Sequence, residues 1–197
     1  MEKFKLGLNL PTDPRWVDIA EMKLEDILTD HAYCEQKAAS SCISMIVKYP
    51  EKDELVELMT PVVAEEWGHF RQVLKKMKAR GMSLGKQRTD LYVKELNRCI
   101  RKGGSRDNQL MEQLLVNALI EARSCERFRL LWKGLSDPDL TSFYYDLMVS
   151  EAAHYKNFLS LAKKYFGEAI VMNRWQQLLN EEAGIMKQLE VRGDRIH

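Results

Sequence analysis

The chain has 197 residues, enough to enclose one sizeable core, and its 45% hydrophobic and 30% charged residues are the balance of an ordinary globular protein. A formal net charge of +1 gives no argument for nucleic-acid binding from bulk charge. No apolar run approaches the ~20 residues that span a bilayer, the start Met-Glu-Lys-Phe-Lys lacks the apolar stretch of a signal peptide, and four cysteines without a Cys-x-x-Cys pair read as free thiols of a reducing cytosol.

Taken in chain order, Asp13-Pro14 predicts a helix cap followed by proline at the first helical position, with a short helix through Trp16, Ile19 and Ala20. A longer helix runs from Leu24 or Asp30 to Tyr49 and is stopped by Pro50. The next spans Lys52 to Arg80, with Gly81 as its C-terminal cap and Thr60-Pro61 as an expected kink or restart. Residues 82–106 read as a crossover connection holding a helical stretch from Thr89 to Arg101 and then Gly103-Gly104-Ser105. Asp107 to Lys133 forms another helix, Ser136-Asp137-Pro138 opens one that reaches Phe166, and a last one spans Glu168 to Leu189. Period-two alternation is absent, so no sheet is expected. Four long helices with a long connection in the middle predict an all-α, ferritin-like four-helix bundle, with additional N-terminal, crossover and C-terminal helices, in a single domain over 1–197.

Two of these helices carry Glu-x-x-His: Glu66-Trp67-Gly68-His69 and Glu151-Ala152-Ala153-His154. Three residues along a helix bring both side chains to one face, where a carboxylate and an imidazole can share a metal ion. Each motif has a glutamate one helix earlier: Glu35 lies 31 residues before Glu66 and Glu121 lies 30 before Glu151. The flanks match as well, Glu35-Gln36-Lys37-Ala38 against Glu121-Ala122-Arg123-Ser124. The chain thus reads as two helical hairpins of one design. Together they would hold two ions among four carboxylates and two imidazoles, with Glu66 and Glu151 bridging and Glu35 and Glu121 terminal. Solvent-facing Glu–His pairs would be the bland explanation, and the matched upstream glutamates weigh against it. Hard carboxylates with imidazole and no thiolate suit iron or manganese better than structural zinc.

Other residues carry less. Glu65 and Ser150, each preceding a motif glutamate, could hold the outer nitrogen of a ligand histidine on the opposite helix, or could simply be solvated. His31, one turn before Glu35, fits either a supporting role or a satisfied buried histidine. Cys34, Cys125, Tyr33, Trp67, Phe70 and Tyr155 read mainly as packing. Basic residues gather at Lys75, Lys76, Lys78, Arg80, Lys86 and Arg88, and again at Arg98, Arg101, Lys102 and Arg106. A solvated face is the usual meaning of such sets and polyanion binding the sharper one. Arg192-Gly193-Asp194 matches a cell-adhesion tripeptide, which in a cytosolic chain is coincidence.

The words around these ligands, Pro11-Thr12-Asp13-Pro14-Arg15-Trp16, Asp30-His31-Ala32-Tyr33-Cys34-Glu35, Ile120 to Phe128, Ser150 to Tyr155 and the Arg192 to His197 tail, resemble the MiaE tRNA hydroxylase family over essentially the whole chain. That resemblance implies a cytoplasmic di-iron monooxygenase. It would use two iron ions and O2 to hydroxylate the isopentenyl chain of 2-methylthio-isopentenyl-adenosine next to the anticodon. It further implies tRNA as substrate and catalysis by no residue beyond the metal ligands. No flavin or iron–sulfur motif is present, so a separate electron donor is expected. A ferritin- or rubrerythrin-like iron oxidase or peroxidase is the runner-up, and a non-catalytic helical interaction module would leave the paired carboxylates unexplained.

Overall fold

The computed structural model describes residues 6–189 and 193–197. The described residues form helices and connections without a strand: α1 (Trp16–Glu21), α2 (Leu24–Lys48), α3 (Asp53–Ala79), α4 (Leu91–Arg98), α5 (Arg106–Gly134), α6 (Pro138–Phe166) and α7 (Glu168–Gln188). They fall into two compact units. One comprises Val17–Arg88 with Arg192–Ile196, the other the chain up to Trp16 with Thr89–Val191 and His197.

In the first unit α2 and α3 pair as a hairpin. The buried positions of α3 are Leu55, Met59, Val62, Glu66, His69, Val73 and Met77, spaced by three and four throughout. On α2, Leu28, Ala32, Glu35, Ala39, Cys42 and Met45 repeat the pattern. These are the apolar stripes of amphipathic helices, and the polar interruptions fall at the proposed ligands. The helix does not restart at Pro61, since α3 runs through it unbroken. Pro61 lies on the exposed face, where loss of one backbone N–H leaves nothing buried unsatisfied. Gly81, at φ 69°, ends the helix as read from the sequence: its N–H reaches the Lys78 carbonyl and that of Met82 reaches Met77.

The tail folds back on this unit. The Ile196 N–H donates to Asp30 Oδ2 at 2.8 Å, and Arg88 bridges Asp26 and Asp194 at 3.0 and 3.2 Å. Gly193 is needed for this approach, because a Cβ there would lie 2.4 Å from the Ile19 carbonyl oxygen. The predicted Asp13 cap proves to be a turn: Asp13 O accepts from Trp16 N–H and its carboxylate from Arg15 N–H, so α1 begins at Trp16.

The second unit is built on the α5–α6 hairpin, against which α7 and the short α4 pack. Helix α5 is buried without interruption from Glu121 to Phe128, so it lacks the clean polar face of a surface helix. Its cap is Ser105, and Asp137 with Pro138 opens α6 as the sequence indicates.

Buried ion pairs hold these helices together. Arg123 on α5, fully buried, donates to Glu182 on α7, to Glu126 and to the Leu10 carbonyl. Thr12 completes that cluster through Glu126, and the Arg127 guanidinium stacks 4.1 Å from the Trp16 ring centroid. Burial, with the Arg123 charge next, pulls the Arg127 guanidinium down to about 9. On the other side Arg174 makes a two-pronged contact with Glu112 at 2.7 and 2.8 Å and also reaches the Cys99 carbonyl. Alanine at Arg174 leaves the Glu112 carboxylate buried without its guanidinium partner. A loss of about 3–5 kcal/mol in urea unfolding is expected, whereas a loss below about 1 kcal/mol would show the pair to be dispensable.

Candidate metal centre

In the first unit Glu35, Glu66 and His69 each place a ligand atom within 4.8 Å of the others. Helix α2 supplies the first and α3 the other two, because positions 66 and 69 fall on the inward stripe. His69 Nδ1 stands 3.4 Å from Glu35 Oε2 and 3.6 Å from Glu66 Oε2. Both separations exceed the usual N–H···O hydrogen bond, as for donors that surround a common centre. His31, on the same face of α2, has its Nε2 2.6 Å from Glu35 Oε1. Since an ionised carboxylate only accepts, the imidazole is the donor.

The second unit repeats the arrangement. Glu121 on α5 and Glu151 and His154 on α6 also bring ligand atoms within 4.8 Å of one another, and His154 Nδ1 lies 3.0 Å from Glu151 Oε2. In both units it is therefore Nδ1 of the histidine that turns toward the carboxylates. All six residues are between 1% and 9% exposed. Two carboxylates beside one imidazole, removed from water, repel unless a cation is shared among them. Oxygen and imidazole donors without a thiolate fit a hard or borderline divalent ion such as iron.

The neighbouring residues divide between the two readings that the sequence left open. Glu65 is exposed, while Ser150 is half-buried. The Cys125 thiol donates to the Met148 carbonyl, and burial, with the Glu151 charge second, pushes it up to about 12. It is a packing residue, as its sequence position implied. His197 was not singled out in the sequence, yet its ring stacks on Tyr92 with centroids 5.2 Å apart and its Nε2 lies 2.8 Å from Ser124 Oγ. Nothing local in the sequence links residue 197 to α5.

The basic sets also sort themselves. Arg88 is committed to Asp26 and Asp194, Arg98 to Glu95, and Arg195 to Asp194, so these serve the fold. Lys75, Lys78, Lys86, Arg101, Lys102 and Arg106 remain exposed. Arg192 lies outside the described residues. A cleft of about 670 Å³ opens in the first unit beside Lys86 and Arg88, with Lys23, Glu21, Glu25 and Asp26 on its wall. None of the proposed ligand residues lines it, so the cleft is not a passage to them.

The known proteins to which the chain is similar are consistent with one another. Residues 1–197 match the family described as tRNA-(MS[2]IO[6]A)-hydroxylase (MiaE). A relative from Pseudomonas putida named tRNA 2-(methylsulfanyl)-N(6)-isopentenyladenosine(37) hydroxylase is 41% identical, over 82% of this chain and 78% of its own length. A second of that name from Salmonella typhimurium is 31% identical, over 83% and 77%. Among solved structures, a protein from Synechococcus described as having aldehyde deformylating oxygenase activity superposes with a TM-score of 0.90 at 35% identity, covering 96% of this chain and 94% of that one. The fold is accordingly ferritin-like and all-α, as the helix pattern indicated. With a match running from the first residue to the last, and six buried ligand-type side chains at the motif positions, this chain belongs to the MiaE family of tRNA hydroxylases.

Proposed function

We propose that the protein is a di-iron, O2-dependent monooxygenase that hydroxylates the isopentenyl side chain of 2-methylthio-isopentenyl-adenosine next to the anticodon of tRNA. The observation that carries this reading is the repeated Glu, Glu-x-x-His triad, buried in each hairpin and matched to a family of that activity. On this reading the two hairpins act as one domain. Glu35, Glu66 and His69 of one hairpin and Glu121, Glu151 and His154 of the other would hold the ions. When bound, the iron pair supplies the activation of O2 needed to insert one oxygen atom into an unactivated C–H bond.

The chain's own contribution is to fix the donors, keep water from them and concentrate negative charge where oxidised metal needs it. Carboxylates set on rigid helices can shift between one-oxygen and two-oxygen contact without moving the backbone. Electrons come from a separate donor protein, and the reaction takes place in the cytoplasm, where tRNA is found. No described helix is long and apolar enough to cross a membrane.

Substrate contact is assigned to the exposed basic residues. Charge reversal at Lys75, Lys78 and Lys86, or at Arg101, Lys102 and Arg106, is expected to weaken tRNA binding. It should also reduce the slope of log affinity against log salt by about one for every phosphate that is no longer neutralised. An unchanged affinity and slope in both triple variants would move the tRNA surface elsewhere.

The function itself is tested by the modified-nucleoside profile of tRNA from cells with and without the gene. The hydroxylated nucleoside should disappear on deletion and its unhydroxylated precursor accumulate. An unaltered profile, with the purified protein rapidly oxidising and storing ferrous iron, would support the ferritin-like alternative instead.

A further inference from the structure

Trp67 reads in the sequence as a packing residue, yet in the structure it is 46% exposed. It stands on α3 between Glu66 and His69, turned about 100° around the helix from Glu66 and so onto the flank of the inward row. The Phe70 ring braces it, with centroids 4.8 Å apart and planes 30° from parallel. The indole is therefore a large apolar face held in place but left in water. Beside it lies Gly68, in the middle of the helix. Beyond the adjoining residues and its own helix backbone, a Cβ at Gly68 would meet no atom of the described residues within 4 Å. Glycine inside a helix costs stability relative to alanine, and no close contact within the chain requires it here. It leaves the backbone bare next to the indole.

From Trp67 to Arg80 the chain carries five basic residues and no acidic one. Arg71, Lys75 and Lys78 among them are exposed and lie one, two and three turns beyond Trp67, within about 80° of it around the helix. Attraction of cations to a helix C-terminus accounts for Lys78 in the last turn, but Arg71 and Lys75 lie further back. An aromatic face followed by cations over about 16 Å of helix matches a single-stranded nucleic acid, whose base stacks on the ring while its phosphates meet the charges. We infer that Trp67, with the bare backbone at Gly68, is a stacking platform for an unpaired base of the tRNA anticodon loop, and that Arg71, Lys75 and Lys78 follow the adjoining phosphates. The loop is thereby held alongside the turn of α3 that carries Glu66 and His69. The inference rests on tRNA being the substrate.

The test measures binding of the full-length, iron-loaded protein to two RNAs, an anticodon stem-loop and a fully paired duplex of the same length, over a range of salt concentrations. Three variants are compared with the wild type: Trp67→Leu, apolar without an aromatic face, Trp67→Tyr, which keeps one, and Gly68→Met, which covers the bare backbone. Trp67→Leu should bind the stem-loop about 5- to 150-fold more weakly, the effect of losing one aromatic–base stack. Its slope of log affinity against log salt should stay that of the wild type, because no phosphate contact is lost. Its affinity for the duplex should not change. Trp67→Tyr should keep most of the wild-type affinity. Gly68→Met should melt at or above the wild-type temperature and still bind the stem-loop more weakly, a combination that a purely structural glycine would not give.

Wild-type affinity for the stem-loop in Trp67→Leu or in Gly68→Met would overturn the inference. So would an equal loss in Trp67→Tyr, or an equal loss on the duplex, since neither is the behaviour of base stacking. Unchanged RNA affinity in Trp67→Leu together with a dimer that falls to monomer in sedimentation would overturn it in favour of an interface between two copies of the chain. A wild-type protein that binds neither RNA would instead defeat tRNA as the substrate, a result distinct from failure of the Trp67 role.

Discussion

Alanine at Glu66 or at Glu151 should leave a folded protein that no longer retains its iron. Each removes a carboxylate that the proposed centre shares between two ions, so both sites should suffer. Retained iron should fall from about two ions per chain to well under one after gel filtration, and the hydroxylation rate by roughly 10³-fold. The metal-free proteins should behave the other way. Glu66 is 1% exposed and sits beside Glu35 and His69, so its removal relieves buried negative charge, and the metal-free variant should melt no lower than the metal-free wild type. Adding ferrous iron at about 1,000 times its dissociation constant should stabilise the wild type by about 4 kcal/mol, a rise of roughly 8–16 °C for a chain of this size. The variants should gain little of this. Full iron occupancy and a wild-type rise in melting temperature in both would remove these residues from the metal centre.

The second expectation concerns the terminal ligands. Glu35→Ala or His154→Ala should abolish hydroxylation, a loss of at least roughly 10³-fold, while helical content changes little. The fold rests mainly on the apolar stripes, such as Leu55, Met59, Val62, Val73 and Met77 on α3, and on buried ion pairs such as Arg123–Glu182. Neither depends on the ligands. Circular dichroism and turnover measured on the same preparations separate the two effects. A variant that loses its helices together with its activity would make these residues structural instead.

Much of this was readable from the chain because its signals are local. Helix ends are marked by residues that act within a few positions, as with Gly81 and Asp137. The Glu-x-x-His motifs are readable because an i, i+3 pair needs no knowledge of tertiary structure, and all six proposed ligands are buried. What was not readable is non-local. The link from His197 to Ser124, and the seat of Ile196 on Asp30, join residues far apart in sequence. The same holds for the basic residues: Arg88 and Arg195 look like solvated cations in sequence, and only their acidic partners in space identify them as structural. Pro61 shows the limit of a local rule, because a proline on an exposed helix face sacrifices one hydrogen bond and need not break the helix.

The most direct measurement is mass spectrometry of the nucleoside after turnover under isotopically labelled dioxygen. It combines the iron-loaded, reduced protein with tRNA bearing the prenylated adenosine. The account predicts one added oxygen atom on the isopentenyl chain, carrying the label because it derives from dioxygen and not from water. A correctly metallated, reducible protein that leaves the nucleoside unchanged, or adds an unlabelled oxygen from water, would contradict it.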